Sequence, residues 1–259
     1  MIKVIIGSAD RRRERQFLRP LVAVRVVREL VTTPPGASSK EHCRTLGHHG
    51  VLFLDELPLF KMNVLESLRG PIEDKRVRIA RSGGVVTYPC NFSLIGAMNP
   101  CPCGFLGDRS RPCTCSNFRL DAYSARLSGP LLDRIDMKIA MARVSPGSLL
   151  GLPDGESSQE IRCRVEEARR VQSERYNAPL SNAAAPTRLL AKHTGLSPAA
   201  RQELSFSIEA LHMSARAVDR TLRLARTIAD LDGQDGIGAR HLGEALMYRL
   251  DGAAERQVA

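Results

Sequence analysis

Two patterns of apolar residues run along this chain, and they change over near residue 150. Before that point, short unbroken apolar runs alternate with turn-forming residues. Val51-Leu52-Phe53-Leu54 and Phe92-Ser93-Leu94-Ile95-Gly96-Ala97-Met98 read as buried strands, and Ile135 to Met141 as a third. A helix is expected over Pro58 to Leu68, with Pro58 in its first turn and Phe60, Val64, Leu65 and Leu68 on its apolar face. Arg76 to Ala80 and Val85 to Pro89 flank Arg81-Ser82-Gly83-Gly84, which predicts a β-hairpin. Residues 144–156 carry prolines and glycines and read as a linker.

Beyond the linker the spacing turns helical. Ser157-Ser158-Gln159-Glu160 has capping-box spacing ahead of Ile161, Val165 and Ala168. Ser197-Pro198 opens a second helix, and Ser214 a third with Val218, Leu222, Ala225 and Ala229 on one face. Ile237 to Arg249 makes a last one. The expected organisation is an α/β part over residues 47–143 followed by a helical bundle over 157–252. Residues 1–46 read differently: Leu21 to Val31 suits a short Arg-studded helix after Pro20, Thr32 to Ser39 a loop, and no motif stands out.

Charge and composition change this picture little. The 259 residues carry a formal net charge of +10, but residues 1–46 alone hold ten Lys/Arg against four Asp/Glu. The remainder is close to balanced, so overall charge is weak support for a nucleic-acid partner. No apolar run approaches the ~20 residues of a membrane-spanning helix. The basic cluster Arg11-Arg12-Arg13 follows the first apolar run, whereas a secretory signal carries its charge ahead. A soluble cytoplasmic protein is expected. Four of the seven cysteines, Cys101, Cys103, Cys113 and Cys115, fall within fifteen residues. In a reducing compartment this favours metal binding over a disulfide framework.

The candidate chemistry sits where the apolar runs end. Asp55-Glu56 follow the first buried strand, which is the layout of a Walker B element: one carboxylate for Mg²⁺, the next to polarise water. The partner element, a Gly-rich phosphate loop ending in Gly-Lys-Ser/Thr, is not found, since none of Lys3, Lys40, Lys61, Lys75, Lys138 or Lys192 follows a glycine. The alternative for Asp55 and Glu56 is a pair of solvated acids. The four cysteines suit a tetrahedral structural Zn²⁺ site, Pro102 and Gly104 supplying the bend that C-x-C spacing needs; reduced thiols on an exposed loop are the alternative. Cys43, Cys90 and Cys163 read as bystanders. The hairpin arginines Arg76, Arg78 and Arg81 suit phosphate contacts beside a Gly tip, or a merely soluble surface.

Three segments in fixed order carry a resemblance: Gly50-Val51-Leu52-Phe53-Leu54-Asp55-Glu56-Leu57-Pro58, then Ala97-Met98-Asn99-Pro100-Cys101-Pro102-Cys103-Gly104, then Ser128-Gly129-Pro130-Leu131-Leu132-Asp133-Arg134-Ile135-Asp136. Together they resemble the magnesium-chelatase-like AAA+ ATPases of the ComM (YifB) type, over roughly residues 47–250. Leu211 to Leu231 is similar to that family's lid helix. The resemblance implies a P-loop NTPase sheet with a helical lid, ATP and Mg²⁺ as cofactors, and a hexameric ring coupled to DNA remodelling. It implies Asp55 on Mg²⁺, Glu56 activating water, Asn99 as sensor 1, Arg134 as an arginine finger acting on a neighbouring subunit, and Arg216 as sensor 2. It also puts the hairpin where relatives touch DNA.

Local alternatives stand beside each role. Asn99 also suits a turn before Pro100, Arg134 a salt bridge with Asp133 or Asp136, and Arg216 a solvated basic face with Arg220 and Arg223. Residues 1–46 resemble nothing upstream of the family's Walker B strand. A truncated or frame-disrupted gene product is therefore expected, with a sheet lacking its upstream strands. The rival functional readings are a non-hydrolysing remnant that still contributes Arg134 in trans, and a zinc-stapled DNA-binding module.

Overall fold

The computed structural model describes residues 4–7, 50–81, 84–108, 111–141 and 155–249. The expected helix at Leu21–Val31 and nearly all of the linker lie outside these. The chain divides into two compact units, Ile2–Met141 and Ala142–Ala259. The first is mixed α/β with a small parallel sheet, and the second is helical. Among the described residues no helix is long and apolar enough to cross a membrane.

In the first unit the strands are β1 (Val4–Gly7), β2 (Val51–Leu54), β5 (Ser93–Met98) and β6 (Met137–Ile139), with β3 (Arg76–Arg81) and β4 (Gly84–Pro89) forming the separate hairpin. The sheet order is β2-β5-β1-β6 and every pairing in it is parallel. The placement of β1 corrects an expectation. A strand from the N-terminal segment enters the middle of the sheet, pairing Val4 with Ile95 and Met137, and Gly7 with Met98. The physical reason is edge satisfaction: β5 and β6 would each present unpaired backbone groups, and the β-branched run Val4-Ile5-Ile6 suits a strand that closes both.

Parallel register then fixes the core. Leu52 pairs with Leu94 and Leu54 with Gly96, so these positions share one face of the sheet. That face is covered by helices α1 (Met62–Glu66), α2 (Arg69–Asp74) and α4 (Gly129–Leu132) through Leu65, Leu68, Ile72 and Leu131. Leu57 lies over Gly96, where a Cβ would come within 3.2 Å of a Leu57 methyl. A glycine in a buried strand here makes room for a side chain crossing from the neighbouring one.

The single helix expected over Pro58 to Leu68 is broken into pieces. A 3₁₀ turn covers Leu57–Leu59, Phe60 and Lys61 are extended, and α1 and α2 follow separately. Pro71 explains the second break. In a continuous helix its ring would clash with the carbonyl of Ser67, whereas in the first turn of α2 it is tolerated. The hairpin stands on α2 through buried Val77, with Cys90 N–H donating to Lys75 O at 2.8 Å. Helix α3 (Asn117–Ser124) follows the cysteine loop and buries no residue of its own.

The second unit holds α5 (Ser158–Tyr176), α6 (Thr187–Lys192), α7 (Pro198–Ala210), α8 (Ala215–Leu231) and α9 (Ala239–Met247). The expected capping box closes α5: Ser157 Oγ accepts from Glu160 N–H, and Glu160 Oε2 accepts from Ser157 N–H at 2.8 Å. Ser197 and Ser214 cap α7 and α8 through their hydroxyls alone, accepting from the N–H of Ala200 and Ala217. The buried residues of α5 are Ala168, Gln172 and Tyr176, one turn apart, while Val165 from the expected apolar face is exposed. An apolar core of Ala200, Leu204, Ala225, Ile237, Leu242 and Ala245 joins α7, α8 and α9.

A buried polar knot fastens α5 to α8. Asp230 accepts from Arg175 at 2.5 and 2.9 Å, from Arg226 at 2.7 and 3.0 Å, and from Asn182 at 2.7 Å. Arg226 is fully buried and also donates to the Gln234 and Asp235 carbonyls. Burial works to raise the Asp230 carboxyl, but the hydrogen bonds from Arg175 and Asn182 and the Arg226 charge outweigh it and hold it below the usual aspartate range. This depression contributes stability that is complete above the ordinary value of 3.8 and is lost as pH falls through the folded value. Asp230→Ala, which leaves two guanidinium groups without their carboxylate, should cost about 3–5 kcal/mol in urea unfolding followed by circular dichroism. A loss below roughly 1 kcal/mol would show that the knot is not holding the helices.

Candidate functional site

Because the sheet is parallel, the carboxyl ends of its strands lie along one edge, and polar residues collect there. Asp55 and Glu56 leave β2, and Asn99 leaves the adjacent β5. Asp55 Oδ1 accepts the Glu56 N–H at 2.9 Å. Glu56 has φ 52° and ψ 47°, a left-handed conformation that costs a non-glycine residue of order 1 kcal/mol or more. The turn is held by Leu59 N–H on Glu56 O at 2.8 Å and by the seating of Leu57 on Gly96. Both carboxylates are half-buried and Asn99 is exposed.

Glu56 and Asn99 line a cleft of about 430 Å³ together with Leu59, Cys101, Tyr123 and Arg126. Its far wall is α3. Tyr123 Oη donates to the Asn99 carbonyl at 3.1 Å, and Arg126 donates to the Pro58 carbonyl at 3.1 Å. Burial pushes the Tyr123 hydroxyl up. None of the α3 residues was picked out by sequence reasoning. The only signal was position, since Asn117 follows directly on the cysteine loop.

Cys101, Cys103, Cys113 and Cys115 come together in the same loop, with their sulfurs within 4.8 Å of one another. Individual separations are 3.3 Å for Cys101–Cys103, 3.5 Å for Cys103–Cys113 and 3.7 Å for Cys101–Cys113. Sulfurs bound to one Zn²⁺ at ~2.3 Å lie about 3.8 Å apart in a tetrahedron, so the quartet is close to the spacing that such an ion imposes. Gly104 at φ 82° makes the reversal after Cys103, as the C-x-C spacing demanded, and its N–H donates to Cys101 O at 3.0 Å. Backbone N–H groups of Phe105 and Thr114 pull the Cys103 thiol down to about 5. At Cys113 the Cys115 N–H pulls downward, but burial and the sulfurs of Cys103 and Cys101 outweigh it and push the thiol up to about 12. Cys90 is buried in the apolar core and Cys163 is exposed on α5.

Arg134 is not at a free surface. It is only 8% exposed, donates to Pro130 O at 2.5 Å, and pairs with Glu73 on α2 at 2.7 Å. Nearby, Glu66 accepts from Ser128 and from Arg69 at 2.5 Å, which hold its carboxyl below the usual range. Arg216 lies exposed in the first turn of α8. Arg223, one of the residues that could have shared a solvated face with it, is instead engaged with Asp219 at 2.7 Å and the Ala185 carbonyl at 2.6 Å. Arg76 and Arg78 are exposed on β3, and Arg81 faces Gly84 in the hairpin register.

Comparison with known proteins agrees with these signatures. Residues 13–149 match the family described as magnesium chelatase, subunit ChlI, and residues 155–249 match its C-terminal region. The chain is 40% identical over 207 residues to the uncharacterised protein YifB of Escherichia coli, covering 79% of this chain and 40% of that protein. It is 39% identical over 207 residues to the competence protein ComM of Haemophilus influenzae, with the same coverage. An uncharacterised protein of Mycobacterium tuberculosis is 39% identical over 221 residues, which is 85% of this chain and 42% of the relative. The chain therefore belongs to the magnesium-chelatase-like family, in its ComM (YifB) branch. It spans about two-fifths of the length of these relatives. The match from residue 13 also corrects the expectation that nothing before residue 47 resembles the family.

The Arg134–Glu73 pair ties α4 to α2 beneath the sheet. Glu73→Ala should destabilise the first unit by roughly 1–3 kcal/mol in urea unfolding, since it takes the carboxylate from a buried guanidinium and leaves it the Pro130 carbonyl, while Glu73 itself is partly solvated. A change within about 0.5 kcal/mol would mean that Arg134 is held without Glu73.

Proposed function

We propose that this chain works within an AAA+ machine that uses ATP to remodel DNA as a ring in the cytoplasm, and that it supplies the carboxylate half of a nucleotide site. The observation that carries this reading is the seating of Asp55, Glu56 and Asn99 at the carboxyl ends of adjacent parallel strands. In it, Asp55 is the ligand for Mg²⁺, Glu56 polarises water and Asn99 orients it. The residues present fit a hydrated Mg²⁺. They do not fit the phosphates as well, because no Gly-Lys pair occurs in the chain to form a phosphate cradle. Arg216 is assigned to the phosphates because Leu211 to Leu231 resembles the family's lid helix, in whose first turn it stands. Arg134, as an arginine finger, must first release Glu73 and Pro130. The four cysteines hold Zn²⁺ as a structural staple.

Titration of a fluorescent ATP analogue with and without Mg²⁺ tests the half-site. Weak binding, with Kd above about 100 μM and lost in Asp55→Asn, is expected from a site without its cradle. Micromolar affinity would refute it.

The exposed Arg76 and Arg78, beside solvent-facing Val85 and Val86, favour DNA contact at the hairpin. Replacing both arginines by Ala should flatten the salt dependence of DNA binding by about two units of slope. An unchanged slope would place the DNA contact elsewhere.

A further inference from the structure

Helix α3 poses a physical problem. It buries no residue fully, and Phe118 near its start is 82% exposed, so apolar packing contributes little to holding its start in place. Three other attachments are available. Its start follows Cys115, the last member of the cysteine quartet. Tyr123, near its end, donates to the carbonyl of Asn99. Arg126, just past its end, donates to the carbonyl of Pro58, two residues beyond Glu56. Cys101, the first of the quartet, is fully buried and leaves β5 two residues after Asn99. The quartet, α3, the end of β5 and the turn after β2 thus form a closed circuit around the cleft that contains Glu56.

We propose that α3 is a metal-anchored clamp on the carboxylate site, in which an ion on the four cysteines fixes one end of the helix while Tyr123 and Arg126 act as positioning residues for Asn99 and for the turn behind Glu56. The proposal rests on reading the quartet as a metal site. Glu56 sits in a strained left-handed turn, and such a turn persists only when its surroundings over-determine it. Arg126 supplies a bond from outside the turn itself, and Tyr123 does the same for Asn99. Loss of the ion would free α3 at its start, since the four sulfurs gather the loop that leads into it. The cleft would then open beside Glu56 while the sheet remains folded.

The test is amide hydrogen exchange on the full chain, read at Leu59 and Phe60, in α3 and at the end of β5, with zinc measured by elemental analysis. Removing the ion with a chelator should speed exchange in α3, at Leu59 and Phe60 and at the end of β5, leaving α7 to α9 unchanged. Acceleration confined to residues 101–115 would overturn the link between metal and site. Arg126→Met should keep about one equivalent of zinc yet speed exchange at Leu59 and Phe60 about fivefold, the effect of one hydrogen bond, and Arg126→Lys should restore protection. Tyr123→Phe should do the same to the end of β5. Wild-type protection in both variants with zinc retained would refute the clamp. Less than about half an equivalent of zinc in the wild type would instead refute the metal reading, a result distinct from the other two.

Discussion

The site depends first on the parallel pairing of β2 with β5. With Leu54 set against Gly96, the chain leaving β2 must turn at once, and it does so through a left-handed Glu56 that drops Leu57 onto the bare face of Gly96. Strain and packing are coupled in this arrangement. The unfavourable backbone at Glu56 is offset by burying Leu57, which is only 1% exposed, at about 25 cal/mol per Å² of apolar surface removed from water. The same turn keeps the two acids half-solvated above a dry core. A larger residue at position 96 would push Leu57 away and release the turn.

Charge is used in two ways that composition does not separate. In the helical unit, Arg226 and Asp230 are buried and hydrogen-bonded to each other, and the knot joins α5 to α8 through Arg175. Beneath the sheet, Arg134 ties α4 to α2 through Glu73. Arg76, Arg78 and Arg216 are exposed. The net charge of +10 is therefore a poor guide to function, because buried arginines contribute to it as fully as exposed ones.

Much of the architecture was legible because it follows from short-range rules. Apolar runs of four to six residues marked β2 and β5, and Ser157, Ser197 and Ser214 marked three helix starts by offering an oxygen to unpaired backbone N–H groups. The helix expected across Pro58 to Leu68 failed because its apolar spacing was satisfied by two shorter helices, which Pro71 forces apart. Helix α3 went unseen because it has no apolar stripe to read. The strand at Val4–Gly7 went unseen because its partners lie some ninety and one hundred and thirty residues away, as the pairing of Val4 with Ile95 and Met137 shows.

The sequence by itself determined the family, the acids at the end of β2 and the cysteine quartet, since each is a matter of residue type at fixed spacing. Tertiary structure alone decided that Tyr123 and Arg126 reach across to Asn99 and Pro58 and that Arg134 turns inward to Glu73. Those contacts join residues separated by 24, 68 and 61 positions. Local periodicity carries no information over such distances, because the partner of a polar side chain is set by which elements the sheet register brings within hydrogen-bond reach.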